Sequence, residues 1–135
     1  MGQYHHLVNY DKKEAVYPYE LGLGAKQVEQ LGAFNGTMAD ALYLLVMTSP
    51  NAGGGDLPLT SVSGRWAGDR VMVVGDYTED NDVPSIPNAS QLYGMECTDI
   101  TEKVAEALQV AFKRNVRDSF WHPENEERKE AYNNV

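Results

Sequence analysis

Gly68-Asp69-Arg70-Val71-Met72-Val73-Val74-Gly75-Asp76 is the stretch on which the fold turns. Four apolar residues, three of them β-branched, stand between charges and glycines, a composition suited to a strand and too short for a helix. Because Val71 to Val74 are apolar on both faces, the 69–74 run reads as a central strand covered on two sides. Gly68 offers a turn before the strand, and Gly75 a turn or bulge after it.

Upstream, Gln3 to Tyr10 reads as a strand and Glu14 to Tyr19 as a second extended run. The polar turn Asp11-Lys12-Lys13 between them predicts a hairpin. Pro18 places the second run at an edge or ends it there. Ala25 to Leu31 has helical spacing, with Leu21, Val28 and Leu31 on a common face, and Gly32 closes it. A stronger helix runs from Met38 to Thr48, with Thr37 as N-cap and Asp40 in its first turn. Met38, Ala41, Leu42, Leu45 and Val46 give it an apolar stripe. Ser49 to Gly55 is a loop, and Leu57 to Val62 is extended.

Downstream, Asp76 to Gln91 contains Pro84 and Pro87 and reads as an irregular surface loop. Asp99 to Arg114 is the best helix: Asp99 and Glu102 have capping-box spacing, and Lys113 and Arg114 suit its C-terminus. Phe120-Trp121 reads as an anchor that docks the tail, and Pro123 opens a last helix through Tyr132. The order β-β-α-α-β-α does not alternate strand and helix. It predicts a single α+β domain over 1–135, a small, mostly antiparallel sheet with three or four helices packed against it.

Composition removes several functions. The 135 residues include 11 Lys+Arg against 20 Asp+Glu, a formal net charge of −9, which opposes direct nucleic-acid binding. The acids are spread along the chain, unlike the stacked blocks of a DNA mimic. Cys97 is the single cysteine, so neither an internal disulfide nor a Cys-based zinc site can form. With no basic neighbour in sequence, its thiol reads as buried and inert. The longest apolar run, Ala41 to Met47, is far short of the roughly 20 residues a membrane span needs. A soluble, cytoplasmic protein with no membrane contact is expected.

Motif by motif, the signals for chemistry are weak. Gly53-Gly54-Gly55-Asp56 lacks the Lys-Ser/Thr of a P-loop and the spacing of a dinucleotide fingerprint. Asp76, Glu79, Asp80 and Asp82 are oxygen donors at short spacing, but the glycine and glutamate of a calcium loop are missing. His5 and His6 are adjacent on a strand and point to opposite faces, which disfavours a shared ion. HExxH, GxSxG and CxxC are all absent. No catalytic residue, metal or cofactor is therefore assigned. The polar residues bracketing the 69–74 strand are the candidate ligand-binding set: Arg65, Trp66, Asp69, Arg70, Asp76 and Tyr77. Arg65 and Arg70 suit a phosphate or carboxylate, and tyrosines on a sheet face suit a base or a protein partner.

Trp66-Ala67-Gly68-Asp69-Arg70 followed by Val73-Val74-Gly75-Asp76-Tyr77, with a Tyr/His-rich opening strand and Asp11-Lys12-Lys13-Glu14, resembles small uncharacterised proteins of bacteria and their phages. The likeness covers about half of the chain. It implies a phage or mobile-element accessory protein and supplies no activity, cofactor or catalytic residue. The leading expectation is a non-enzymatic, homo-oligomeric protein that binds or sequesters a protein partner. The alternatives are a small-ligand (nucleotide) binder using Arg65, Arg70 and the 53–56 loop, a metal-assisted hydrolase built on Asp69, Asp76 and a histidine, and a virion structural component.

Overall fold

The structure, a computed structural model, describes residues 3–31, 37–49 and 54–112. The expectations for Lys113, Arg114, the Phe120-Trp121 anchor and a helix from Pro123 lie outside these residues. Four strands form one mixed sheet: β1 (His5–Asn9), β2 (Glu14–Val16), β3 (Val71–Gly75) and β4 (Thr98–Asp99), in the order β3-β1-β2-β4. β1 pairs antiparallel with both β2 and β3, while β4 runs parallel to β2. Among the described residues, three α-helices accompany them: α1 (Gln27–Leu31), α2 (Met38–Val46) and α3 (Thr101–Phe112). The expected α+β class and the hairpin of the first two strands are both present.

Alternation along β1 divides the core in two. Leu7 faces the helices, in a cluster with Val16, Leu21, Leu44, Trp66, Val104 and Leu108. Val8 faces the other way, onto Ala15, Val74, Ile86, Ala89 and Leu92. Successive strand residues point to opposite faces, so one short strand serves both layers. The 76–91 segment is therefore more than a surface loop. It holds two 3-10 turns, Asp80–Asp82 and Ala89–Gln91, and sets Ile86, between them, and Ala89 against the second face of the sheet.

Three expectations are corrected. The 69–74 strand is an edge, not the centre; β1, with all five residues buried, lies between two neighbours. A β-branched apolar run shows that a segment suits a sheet, but its position depends on pairing across the chain. Val73 is accordingly 50% exposed. Of the 57–62 run expected to be extended, Ser61 and Val62 lie in turns.

The short helix is also turned from its expected face. Gln30 is its buried residue, donating its amide to the carbonyls of His5 (2.8 Å) and Ala25 (2.7 Å). Val28 and Leu31 point outward at 78% and 63% exposure. The His5 carbonyl takes its donor from Gln30, and the Ala25 carbonyl, which already accepts from the His5 amide at 2.8 Å, takes a second one; these bonds go with Gln30 facing inward.

Candidate functional site

The expected site residues separate into three groups. Arg65 and Trp66 lie in a run of turns that closes the end of α2. The Gly64 and Trp66 amides donate to the carbonyls of Leu44 (2.9 Å) and Leu45 (2.8 Å), meeting acceptors the helix end cannot satisfy itself. Gly64 adopts φ +76, and a Cβ there would come within 3.0 Å of the Met47 carbonyl. This anchoring aims both side chains at Glu14 of β2. Arg65 Nε donates to the two carboxylate oxygens at 3.0 and 3.2 Å, and the Trp66 indole N–H donates to Oε1 at 2.9 Å. The Arg65 bond holds the Glu14 carboxyl below its ordinary range and Trp66 adds to it, both against the opposing effect of burial. Arg65 is thus committed to a buried carboxylate.

Asp69 and Arg70 form the second group, at the start of β3, and grip the β1–β2 turn. Asp69 accepts from Asn9 Nδ2 at 2.9 Å and pairs with Lys12. Asp11 accepts from the Arg70 backbone N–H at 2.7 Å and from Nε at 2.9 Å. The Arg70 guanidinium also sits over the Tyr10 ring, 4.7 Å from its centre. These partners depress both carboxyls, Asp11 through Arg70 and Asp69 through Lys12.

Asp76 and Tyr77 are the third group, beyond the other end of β3. Asp76 accepts from the Tyr4 amide at 3.0 Å, and Tyr77 is exposed. At about 3.3 Å per residue, β3 holds the second and third groups roughly 17 Å apart. The six residues do not surround one cavity.

The acidic loop spends its oxygens locally. Asp80 accepts from the Ser90 amide at 2.9 Å and from its hydroxyl, and Asp82 accepts from the Glu79 amide at 2.9 Å. Among the described residues, no group of three or more His, Cys, Asp or Glu side chains is placed to hold a metal ion. His6 lies between the rings of Tyr17 and Tyr93, with centroids 4.8 and 4.9 Å away, and burial lowers its pKa. His5 faces away from them, over Gly75, where an added Cβ would meet its Nε2 at 2.7 Å. Cys97 is half-buried, and burial pushes its thiol up. Gly55 and Asp56 border a cleft of about 450 Å³ beside Tyr43 and Met47, with no Lys or Arg among its described lining residues.

A feature the expected set omitted is a groove of about 730 Å³ on the helix side of β3, lined by Leu7, Val28, Leu31, Met38, Leu42 and Val73. No charged side chain lines it among the described residues, on a chain of net charge −9. It lies where Val71 of β3 packs on the helix-side core but Val73 is left half exposed, and where α1 turns Val28 and Leu31 outward. Along one side runs β3, the edge of the sheet among the described residues. The Tyr10 amide donates to the Arg70 carbonyl, and the Asp76 amide to the Tyr4 carbonyl. By antiparallel alternation, the N–H and C=O groups of Val71 and Val73 therefore point away from β1. The outward Gly75 amide is met by Thr78 Oγ1 at 3.0 Å. The one sequence signal for this groove was the apolar pair Val28 and Leu31, which the spacing assigned to a core.

Comparison with protein-family models, with curated proteins and with solved structures gave no match.

Proposed function

We propose that this chain is a non-enzymatic accessory protein, in keeping with its resemblance to bacterial and phage proteins, that binds a protein partner along β3. The single observation carrying this reading is that β3, with no strand on its outer side among the described residues, lies beside an apolar groove with no charged side chain among its described lining residues. An extended partner segment adds as a fifth strand, bonded to the outward N–H and C=O groups of Val71 and Val73. Its alternate apolar side chains enter the groove between Val73, Leu31 and Val28. Main-chain bonds supply affinity in this mode, and the pockets for alternate side chains supply selectivity. Exposed apolar surface of this kind marks interaction sites on soluble proteins. A second copy of the chain pairing β3 with β3 is the self-association form of the same reading.

Arg65 and Arg70 support a nucleotide site poorly, since carboxylates already engage both. The test places a photoreactive residue at Leu31 in the full chain, identifies the cross-linked protein, and rebuilds the complex from purified components. Val73→Glu is expected to abolish that complex, while the exposed control Glu96→Ala preserves it. A complex indifferent to Val73→Glu overturns the reading. Native mass spectrometry separates a foreign partner from a second copy.

A further inference from the structure

We propose that the partner of β3 is a second copy of this chain, joined edge to edge and antiparallel about a two-fold axis at Met72. This rests on the partner-binding reading of β3 and names the partner and its register. The backbone selects that register. The Gly75 amide donates to Thr78 Oγ1, and the Gly75 carbonyl accepts from the Thr78 amide at 3.1 Å. At the other end, the Asp69 amide donates to the Trp66 carbonyl at 3.1 Å. Between them, Val71 and Val73 turn their N–H and C=O groups away from β1. When Val71 of each copy faces Val73 of the other, every one of these groups finds a partner. Moving the axis to Val73 or to Val71 sets the other valine against Gly75 or Asp69, whose amides are already taken.

Side chains and charge agree with this arrangement. On the helix side, Val73, 50% exposed, stands directly across from Val71 of the second copy, a pair of β-branched side chains on one face. These valines are the alternate residues that each strand offers to the other's groove, and Val71–Gly75 brings no charge to the seam. That matters on a chain of net charge −9, because two copies repel wherever their acids meet. The two ends of β3 differ in sign. Lys12, Lys13 and Arg70 outnumber Asp11 and Asp69 where it begins, whereas Asp76, Glu79, Asp80 and Asp82 follow its end with no base among them. Antiparallel pairing carries each basic end toward the other copy's acidic end and sets Arg70 diagonally across from Asp76. Parallel pairing would bring acid to acid. A foreign strand also fills the backbone groups, so this opposition of charge is what selects a second copy.

Sedimentation of the full chain over a dilution series tests the partner, and oxidation of Met72→Cys tests the register. Wild type is expected to sediment as a dimer that dissociates on dilution, and Val73→Glu as a monomer throughout. Val73 is half exposed, so this variant should fold, and unchanged far-UV circular dichroism verifies it. Met72 faces its own copy at a non-hydrogen-bonded position, where Cα atoms lie about 4.5 Å apart, within disulfide reach. In a Cys97→Ser background, Met72→Cys should oxidise to a linked dimer, whereas the exposed control Tyr77→Cys, beyond the seam, should not. Three results overturn the proposal: a wild type monomeric at every concentration, a dimer that survives Val73→Glu, or Met72→Cys linking no better than Tyr77→Cys. A monomeric wild type strikes the second copy alone and leaves the Leu31 cross-link to find a foreign protein. A complex that survives Val73→Glu, whichever protein it contains, strikes the partner reading itself.

Discussion

Glu14 joins β2 to the turns that close α2 through one side chain. It is buried, it anchors β2, and it receives three donor groups from Arg65 and Trp66, which hold the end of α2. Removing the charge from a partly buried pair leaves the other ion uncompensated. Glu14→Gln is therefore expected to cost about 2–3 kcal/mol, less than a fully buried pair because Arg65 keeps some solvent. The cost has a pH signature. The folded protein depresses the Glu14 pKa, so its contribution is fully present above the ordinary carboxylate value of 4.5 and is lost as pH falls through the depressed folded value. Urea unfolding should show a constant gap between wild type and variant from pH 7 to pH 5, closing at lower pH. A gap that widens on acidification would mean the pair does not stabilise the fold. Arg65 and Trp66 were recognisable in the sequence as an unusual polar-aromatic pair. Their partner was not, because Glu14 lies 51 residues from Arg65 and only the folded chain joins them.

Among the elements, α2 was the most legible, because its signals are local. Thr37 accepts from the Asp40 amide at 3.1 Å, and the Asp40 carboxylate accepts from the Thr37 amide at 3.1 Å, a reciprocal capping box four residues long. Thr37→Ala should lower stability by about 1 kcal/mol, the usual worth of such a cap, whereas Thr37→Ser should be close to neutral. Thermal unfolding of both variants checks this, and equal losses would show that the methyl group matters rather than the hydroxyl. The sheet was legible in its strands and hidden in its order. Nothing in Val71–Gly75 records that it borders one strand instead of two, since that depends on β1 pairing with it from more than 60 residues away. β4 is two residues long and merges into the start of α3, too short to leave a pattern of alternation. Likewise α1 carries helical spacing, but the bonds of the Gln30 side chain, not its apolar residues, set which way it faces. That reversal is what opens the groove, so the candidate site was the least legible part of the chain.

At the scale of the whole molecule, the two core layers touch through one sheet two residues deep in its logic: Leu7 packs on the helices and its neighbour Val8 on the 83–97 segment. A layer fastened only by its own contacts would open alone, in the manner of a local unfolding unit. Here β1 cannot release Val8 without also disturbing Leu7, because both hang on the same hydrogen-bonded ladder to β2 and β3. Damage to the second layer must therefore spread to the first. Leu92→Ala removes a buried side chain from that layer and is expected to cost about 2–5 kcal/mol. Hydrogen exchange can locate the loss. The amides of Leu44 in α2 and Leu108 in α3 lie in the opposite layer, and their protection should fall by the same free energy as global stability measured in urea. Protection lost only between residues 83 and 97 would show that the segment unfolds by itself. In that case β3 would keep its place against β1 with its far face uncovered, and the edge proposed to bind a partner would have to be stable without the second layer beneath it.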